Sequence, residues 1–161
     1  MQRVTNIDPL DAKILGALNE EPRATIIAIA EKTGLSRNTV QARVAKLEMH
    51  GVLHSFERRI DPTALGYPLT AFILTGVTQR RLTQIAQALE DIPEVVEVHG
   101  ISGATDLLVH VVARNADDLY RIAGRILNID GVEQTTTALV MRKMVNYRLT
   151  PLLDRIGANE D

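Results

Sequence analysis

Between Leu35 and Gly51 the chain reads LSRNTVQARVAKLEMHG, a stretch dense in side chains that can read bases. The carboxamides of Asn38 and Gln41 match the donor and acceptor that adenine shows in a major groove, and the Arg37 guanidinium matches the two acceptors of guanine. Arg43 and Lys46 are cations suited to phosphate, with Glu48 as an alternative, internal partner for Arg43. Ala42 and Ala45 are small enough to let a helix approach closely. Helical spacing puts Asn38, Gln41, Ala42, Ala45 and Lys46 on one side and Val40, Val44 and Leu47 on the other. The candidate double-stranded DNA contacts on this stretch are Ser36, Arg37, Asn38, Thr39, Gln41, Arg43 and Lys46.

Such a face needs a rigid support, and the preceding residues predict one. Asp8-Pro9 is a helix start, and Leu10, Ile14, Leu15 and Leu18 recur at helical spacing up to about Asn19. Thr25 caps a second, short helix carrying Ile26, Ile27, Ile29 and Ala30, which ends at Thr33-Gly34. Ser36 caps the third. Two helices joined by a glycine turn and backed by a first helix make a helix-turn-helix, whose second helix enters the major groove. Beyond Gly51, Val52-Leu53, Phe56 and Ile60 alternate loosely with polar residues, so a small β-hairpin wing is expected, with Arg58 and Arg59 at the DNA backbone.

The remainder alternates strand and helix. Leu69–Val77 is a β run, and Leu82, Ile85, Leu89 and Ile92 share a helical face. Val95–Ile101 and Leu107–Ala113 read as a hairpin. Leu119, Ile122, Ala123, Ile126 and Leu127 form another helical face, and Val132–Val145 a last strand. The order β-α-β-β-α-β is the ferredoxin-like arrangement, an antiparallel sheet with both helices on one face. The strands are apolar on both faces, so the face without helices is expected to pair with a second copy in a two-fold homodimer. The fold class is α+β. A winged helix-turn-helix domain is expected over 1–60, a linker over 61–68, the ferredoxin-like domain over 69–149, and a short docked or frayed tail over 150–161.

Composition narrows the classes of function. Residues 1–60 hold nine Lys and Arg against seven Asp and Glu, and residues 61–161 hold nine against thirteen, so a mildly basic half precedes an acidic one. The chain has no Cys, which removes disulfides, thiolate metal sites and cysteine nucleophiles. With no Trp, two Phe and three Tyr, it lacks the stacking platforms of single-strand and RNA binders. No apolar run reaches the roughly 20 residues of a membrane span, and no secretory leader is evident, so a cytoplasmic protein without membrane contact is expected. His50, His54, His99 and His110 have no metal-ligand spacing, and no phosphate loop or nucleophile elbow occurs. No metal site, cofactor or catalytic residue is predicted, and the chain is not expected to be an enzyme.

IDPLDAKILGAL, TGLSRNTVQARVAKLEMHGVL and HSFERRIDPTALG, followed by the β-α-β-β-α-β half, together resemble the Lrp/AsnC (feast/famine) family of transcription regulators. The resemblance covers nearly the whole chain. It implies a sequence-specific DNA-binding regulator whose second half is a regulation-of-amino-acid-metabolism (RAM) domain. It also implies dimers through the RAM sheets, assembling further to tetramers or octamers, and a small effector such as an amino acid bound between dimers. The family's effector site centres on the turn between the second and third strands, here GISGATDLL. The resemblance therefore implies effector contacts at Ser102, Gly103, Ala104, Thr105 and Asp106, with Thr135 and Thr137 on the last strand. In that reading Asp106 accepts from an α-ammonium group and turn N–H groups hold an α-carboxylate. The residue before Asp106, often aromatic in the family, is Thr105. Two other readings are an effector-sensing RAM protein without DNA binding and an AsnC-like haem-pathway decarboxylase.

Overall fold

The computed structural model describes residues 7–158. The chain divides into two compact units: one takes the residues up to Arg58 together with those from Val145 onward, the other Arg59–Met144.

In the first unit the helix boundaries follow local chemistry. Helix α1 (Pro9–Glu20) opens on a reciprocal capping box: Asp11 N–H donates to Asp8 Oδ1 at 2.8 Å, and Asp8 N–H to Asp11 Oδ2 at 3.4 Å. Helix α2 (Ile26–Thr33) is capped by Thr25 and ends at Gly34, whose φ of +73° is the left-handed conformation that turns the chain sharply. Helix α3 (Arg37–Met49) starts on Ser36, whose Oγ accepts from Thr39 N–H at 3.1 Å. Ile14, Ala17, Ile29, Ala30, Val40 and Leu47 are buried together and hold the three helices.

One expectation for this region changes and one alternative is decided. Residues 52–60 form no strand pair. Val52 and Leu53 pack against the helical core, and Phe56–Arg59 is a single 3-10 turn. The stretch has no tight-turn residue to reverse it and no partner strand, so no hairpin wing forms there. Of the two alternatives for the C-terminal residues, docked or frayed, the docked one forms: helix α6 (Thr150–Gly157) lies on α1.

The second unit is a four-stranded antiparallel sheet in the order β2-β3-β1-β4, from β1 (Leu69–Val77), β2 (Val95–Gly100), β3 (Leu107–Ala113) and β4 (Val132–Leu139). Helices α4 (Leu82–Glu90) and α5 (Ala116–Leu127) cover one face. Ile85, Leu89, Ile122 and Ile126 pack there on Ile73, Val109 and Val111, all fully buried. Strand β4 is shorter than the β-branched run suggested. Its last pair is Leu139 with Ala71, near the start of β1, and one further bond joins Val140 N–H to Thr70 O. Past that point no strand remains to pair with, so Met141 to Val145 leave the sheet.

On the other face lie Phe72 and Leu74 of β1 with Leu108, His110 and Val112 of β3, in cross-strand register. Neither α4 nor α5 lies on this face; Phe72, Leu74, Leu108 and His110 are half-buried and Val112 is buried. The His110 ring stacks on Phe72 with centroids 4.8 Å apart, and its Nε2 is buried without a hydrogen-bond partner among the described residues. Burial pushes the His110 pKa below its ordinary value, against the smaller opposing pull of Glu97.

Candidate nucleic-acid interface and effector turn

Helix α3 presents two faces of opposite character. Val40 and Leu47 are buried, whereas Arg37, Asn38, Gln41, Ala42, Ala45 and Lys46 are exposed. Arg37, Asn38, Gln41 and Lys46 make no side-chain hydrogen bond or ion pair among the described residues, so their polar groups face solvent unspent. The Ser36 and Thr39 hydroxyls lie 2.8 Å apart and are engaged in the cap, which fixes the first turn of the helix.

Arg43 departs from the expected role. Its Nη1 donates to Asp8 Oδ2 and, at 3.0 Å, to Asp11 Oδ1, across to the capping box of α1. These bonds hold the Asp8 carboxyl below its ordinary pKa and raise that of Arg43. Asp11 is almost fully buried, so its charge depends on Arg43 for compensation. Arg43 thus ties α3 to the cap of α1, and its partners are Asp8 and Asp11 rather than Glu48. Asp8 was readable as a helix cap, but Asp11 was not singled out, and their partner Arg43 stands on another helix where no local spacing announces it. Arg58 closes the first unit and Arg59 opens the second, and with no hairpin there, neither is carried on a wing.

The second candidate site is the turn between β2 and β3. Gly103 has φ +124°, which only glycine adopts without strain. Asp106 is anchored on four sides. Its Oδ2 accepts from Val77 N–H at 2.8 Å and its Oδ1 from the Gln79 amide at 2.6 Å. Its own N–H donates to Thr75 O at 3.0 Å, and its carbonyl accepts from Ile101 N–H at 2.8 Å. The carboxylate expected to take an ammonium group therefore already ties the turn to the end of β1. Gln79 and Thr75 belong to this cluster and had no signal in the sequence. Thr135 stands opposite Thr75 on β4, at the same end of the sheet; Thr137 stands opposite Ile73, one step farther along. Ser102, Gly103 and Ala104 are exposed, Thr105 half-buried. A cavity of about 680 Å³ lies beside Thr78, Arg80, Arg81 and Gln84, and none of the turn residues lines it. Among the described residues no cluster of His, Asp and Glu could hold a metal ion.

Both halves have counterparts among known proteins. Residues 7–48 match the AsnC-type helix-turn-helix domain, and residues 70–150 match the Lrp/AsnC ligand binding domain. The chain belongs to the Lrp/AsnC family of transcriptional regulators. It is 36% identical over 136 residues to the HTH-type transcriptional regulator FL11 of Pyrococcus horikoshii, covering 84% of this chain and 90% of that one. It is 32% identical over 146 residues to the regulator AldR of Mycolicibacterium smegmatis, covering 88% and 85%. Among solved structures it is similar to E. coli AsnC, with a TM-score of 0.81 at 27% identity over 91% of this chain and 100% of that one. It is also similar to a feast or famine regulatory protein of M. tuberculosis complexed with L-methionine, with a TM-score of 0.78 at 28% identity over 89% and 98%. These matches bear out the α+β fold and the helix-turn-helix regulator reading. No helix among the described residues is long and apolar enough to cross a membrane.

Proposed function

We propose that the protein regulates transcription as a sheet-to-sheet homodimer that sets two copies of α3 into successive major grooves. Arg37, Asn38 and Gln41 read bases and Lys46 contacts phosphate. The observation that carries this reading is the exposed, unpaired polar face of α3 on a packed three-helix support. Two grooves on one side of a duplex lie about 34 Å apart or a multiple of that, so paired heads impose a half-site spacing. The protein acts in the cytoplasm, with no cofactor. Its effector is a small molecule with the ammonium and carboxylate groups of an amino acid, bound at residues 102–106 and Thr135 where a second dimer closes the open turn. Tetramers or octamers follow from that contact. Support comes from the L-methionine complex of the M. tuberculosis relative and from the exposure of Ser102, Gly103 and Ala104.

Selection from a random duplex pool at fixed salt tests the DNA reading. Enrichment of a two-fold symmetric motif is expected. Asn38→Ala and Gln41→Ala each lose about 1–3 kcal/mol and relax preference at one base pair. A pool that returns no motif rejects DNA reading and leaves effector sensing as the function. Calorimetry against the twenty amino acids tests the effector site. Because Asp106 holds the turn together, Thr135→Val is the cleaner control for binding there.

A further inference from the structure

Arg37, Asn38, Gln41 and Lys46 supply the polar chemistry of α3, yet most of its outermost line is apolar. At about 3.6 residues per turn Asn38, Ala42, Ala45 and Met49 fall within about 60° of one another, opposite the buried Val40 and Leu47. All of them are exposed, Met49 at 79%. Gln41 and Glu48 border this row on one side and Lys46 on the other. The row is therefore one carboxamide followed by two methyl groups and a thioether. It extends over about 16 Å, close to five base-pair steps of about 3.4 Å.

Single exposed apolar side chains are ordinary on any surface. Here they stand in line with a carboxamide that makes no bond in the fold, on the side of the helix that faces outward. Ala42 and Ala45 have no polar side-chain atom, and their backbone groups lie within the helix, so neither reads a base by hydrogen bonding. They place bare Cβ atoms where a docked helix comes nearest the groove floor. In a major groove thymine alone displays an alkyl group, its C5-methyl. A cytosine at the same position sets its N4 amino group against a Cβ, where it loses water and gains no acceptor. The flanking groups name the occupant: the Asn38 and Gln41 amides match base edges and Lys46 a phosphate, so the row lies against duplex DNA.

We infer that Ala42, Ala45 and Met49 select thymine by its methyl group: each half-site carries thymines within about five steps of the base pair read by Asn38, their methyls packed on these three side chains. The inference rests on the DNA-reading proposal above and adds to it a discrimination that no hydrogen bond supplies.

The wild-type protein tests it on duplexes that differ by single methyl groups. The motif recovered by random-pool selection is resynthesised with each thymine replaced in turn by deoxyuridine, which keeps the base pair and removes only the C5-methyl. At two or three thymines of a half-site the dissociation constant, at fixed salt, is expected to rise roughly fourfold, and by roughly tenfold or more when both half-sites are changed. Thymines outside the motif are expected to be silent. Ala42→Ser, Ala45→Ser and Met49→Gln then assign the contacts. All three positions are exposed, so thermal melts are expected to stay close to that of the wild type. Each variant is expected to reduce the deoxyuridine penalty at one thymine to below about twofold and to leave it intact at the others. A motif whose thymines are all silent overturns methyl reading and leaves the DNA-reading proposal standing. Penalties that persist in all three variants overturn the assignment to this row and place the methyl contacts elsewhere on the protein or in the shape of the duplex. A pool that returns no motif overturns the DNA-reading proposal and this inference with it.

Discussion

Arg43 and His110 each carry a prediction. Arg43 sits among DNA-facing cations in the sequence, yet it is bonded to Asp8 and Asp11. Arg43→Ala is expected to cost about 1–3 kcal/mol in a urea melt, because the buried Asp11 carboxylate loses its compensating charge. Lys46→Ala is expected to leave the melt unchanged and reduce the salt slope of DNA binding by about one. If Arg43→Ala reduces that slope and spares stability, the two assignments are reversed. His110 titrates below its ordinary value because burial disfavours its cation. A base depressed in the folded state binds more protons when unfolded, so its contribution is intact above pH ~6.5 and lost as pH falls from there through the folded-state pKa. Between pH 8 and pH 5 the wild type should therefore lose more stability than His110→Phe, measured as the drop in urea midpoint. Equal drops would remove His110 from the account.

At the scale of elements, legibility followed locality. The three head helices, β1 and β3 were readable because caps, a turn glycine and side-chain periodicity lie within a few residues of the boundary they set. Gly34 is the clearest case. Gly34→Ala is expected to lower head stability by about 1–2 kcal/mol through its positive φ alone, with no clash, and a thermal melt checks it. The misread elements depend on partners elsewhere. Residues 52–60 alternate well enough for a strand but have nothing to pair with. Strand β4 continues in sequence to Val145 but stops in space where β1 begins. In the sequence the C-terminal segment stays open between docked and frayed, because eight residues are too few to declare a helix without α1. At the candidate sites the same rule held: the exposed face of α3 was readable from spacing, whereas the Asp106 bonds to Val77 and Gln79 join residues far apart in the chain.

At the scale of the whole molecule, the helix-free sheet face sets the assembly prediction. Phe72, Leu74 and Leu108 are half-buried on the face that neither helix of the second unit covers. Leu108→Glu, half-buried on that face, is expected to keep the fold and halve the mass seen by light scattering. Affinity for a two-fold site should fall by about 10² or more, because each head then binds alone. A dimer that persists with unchanged affinity would mean that the copies meet elsewhere. The exposed face of α3 bears on the history of such a protein as well as its activity. Arg37, Asn38 and Gln41 are exposed and make no side-chain hydrogen bond or ion pair among the described residues, while Val40 and Leu47 on the other side of the helix are buried in the head. Exchanges at Arg37, Asn38 and Gln41 are thus nearly free of stability cost, of the order of 0.5 kcal/mol or less. A duplicated gene could be readdressed to a new operator within a few substitutions, retaining its folding, pairing and sensing apparatus unaltered.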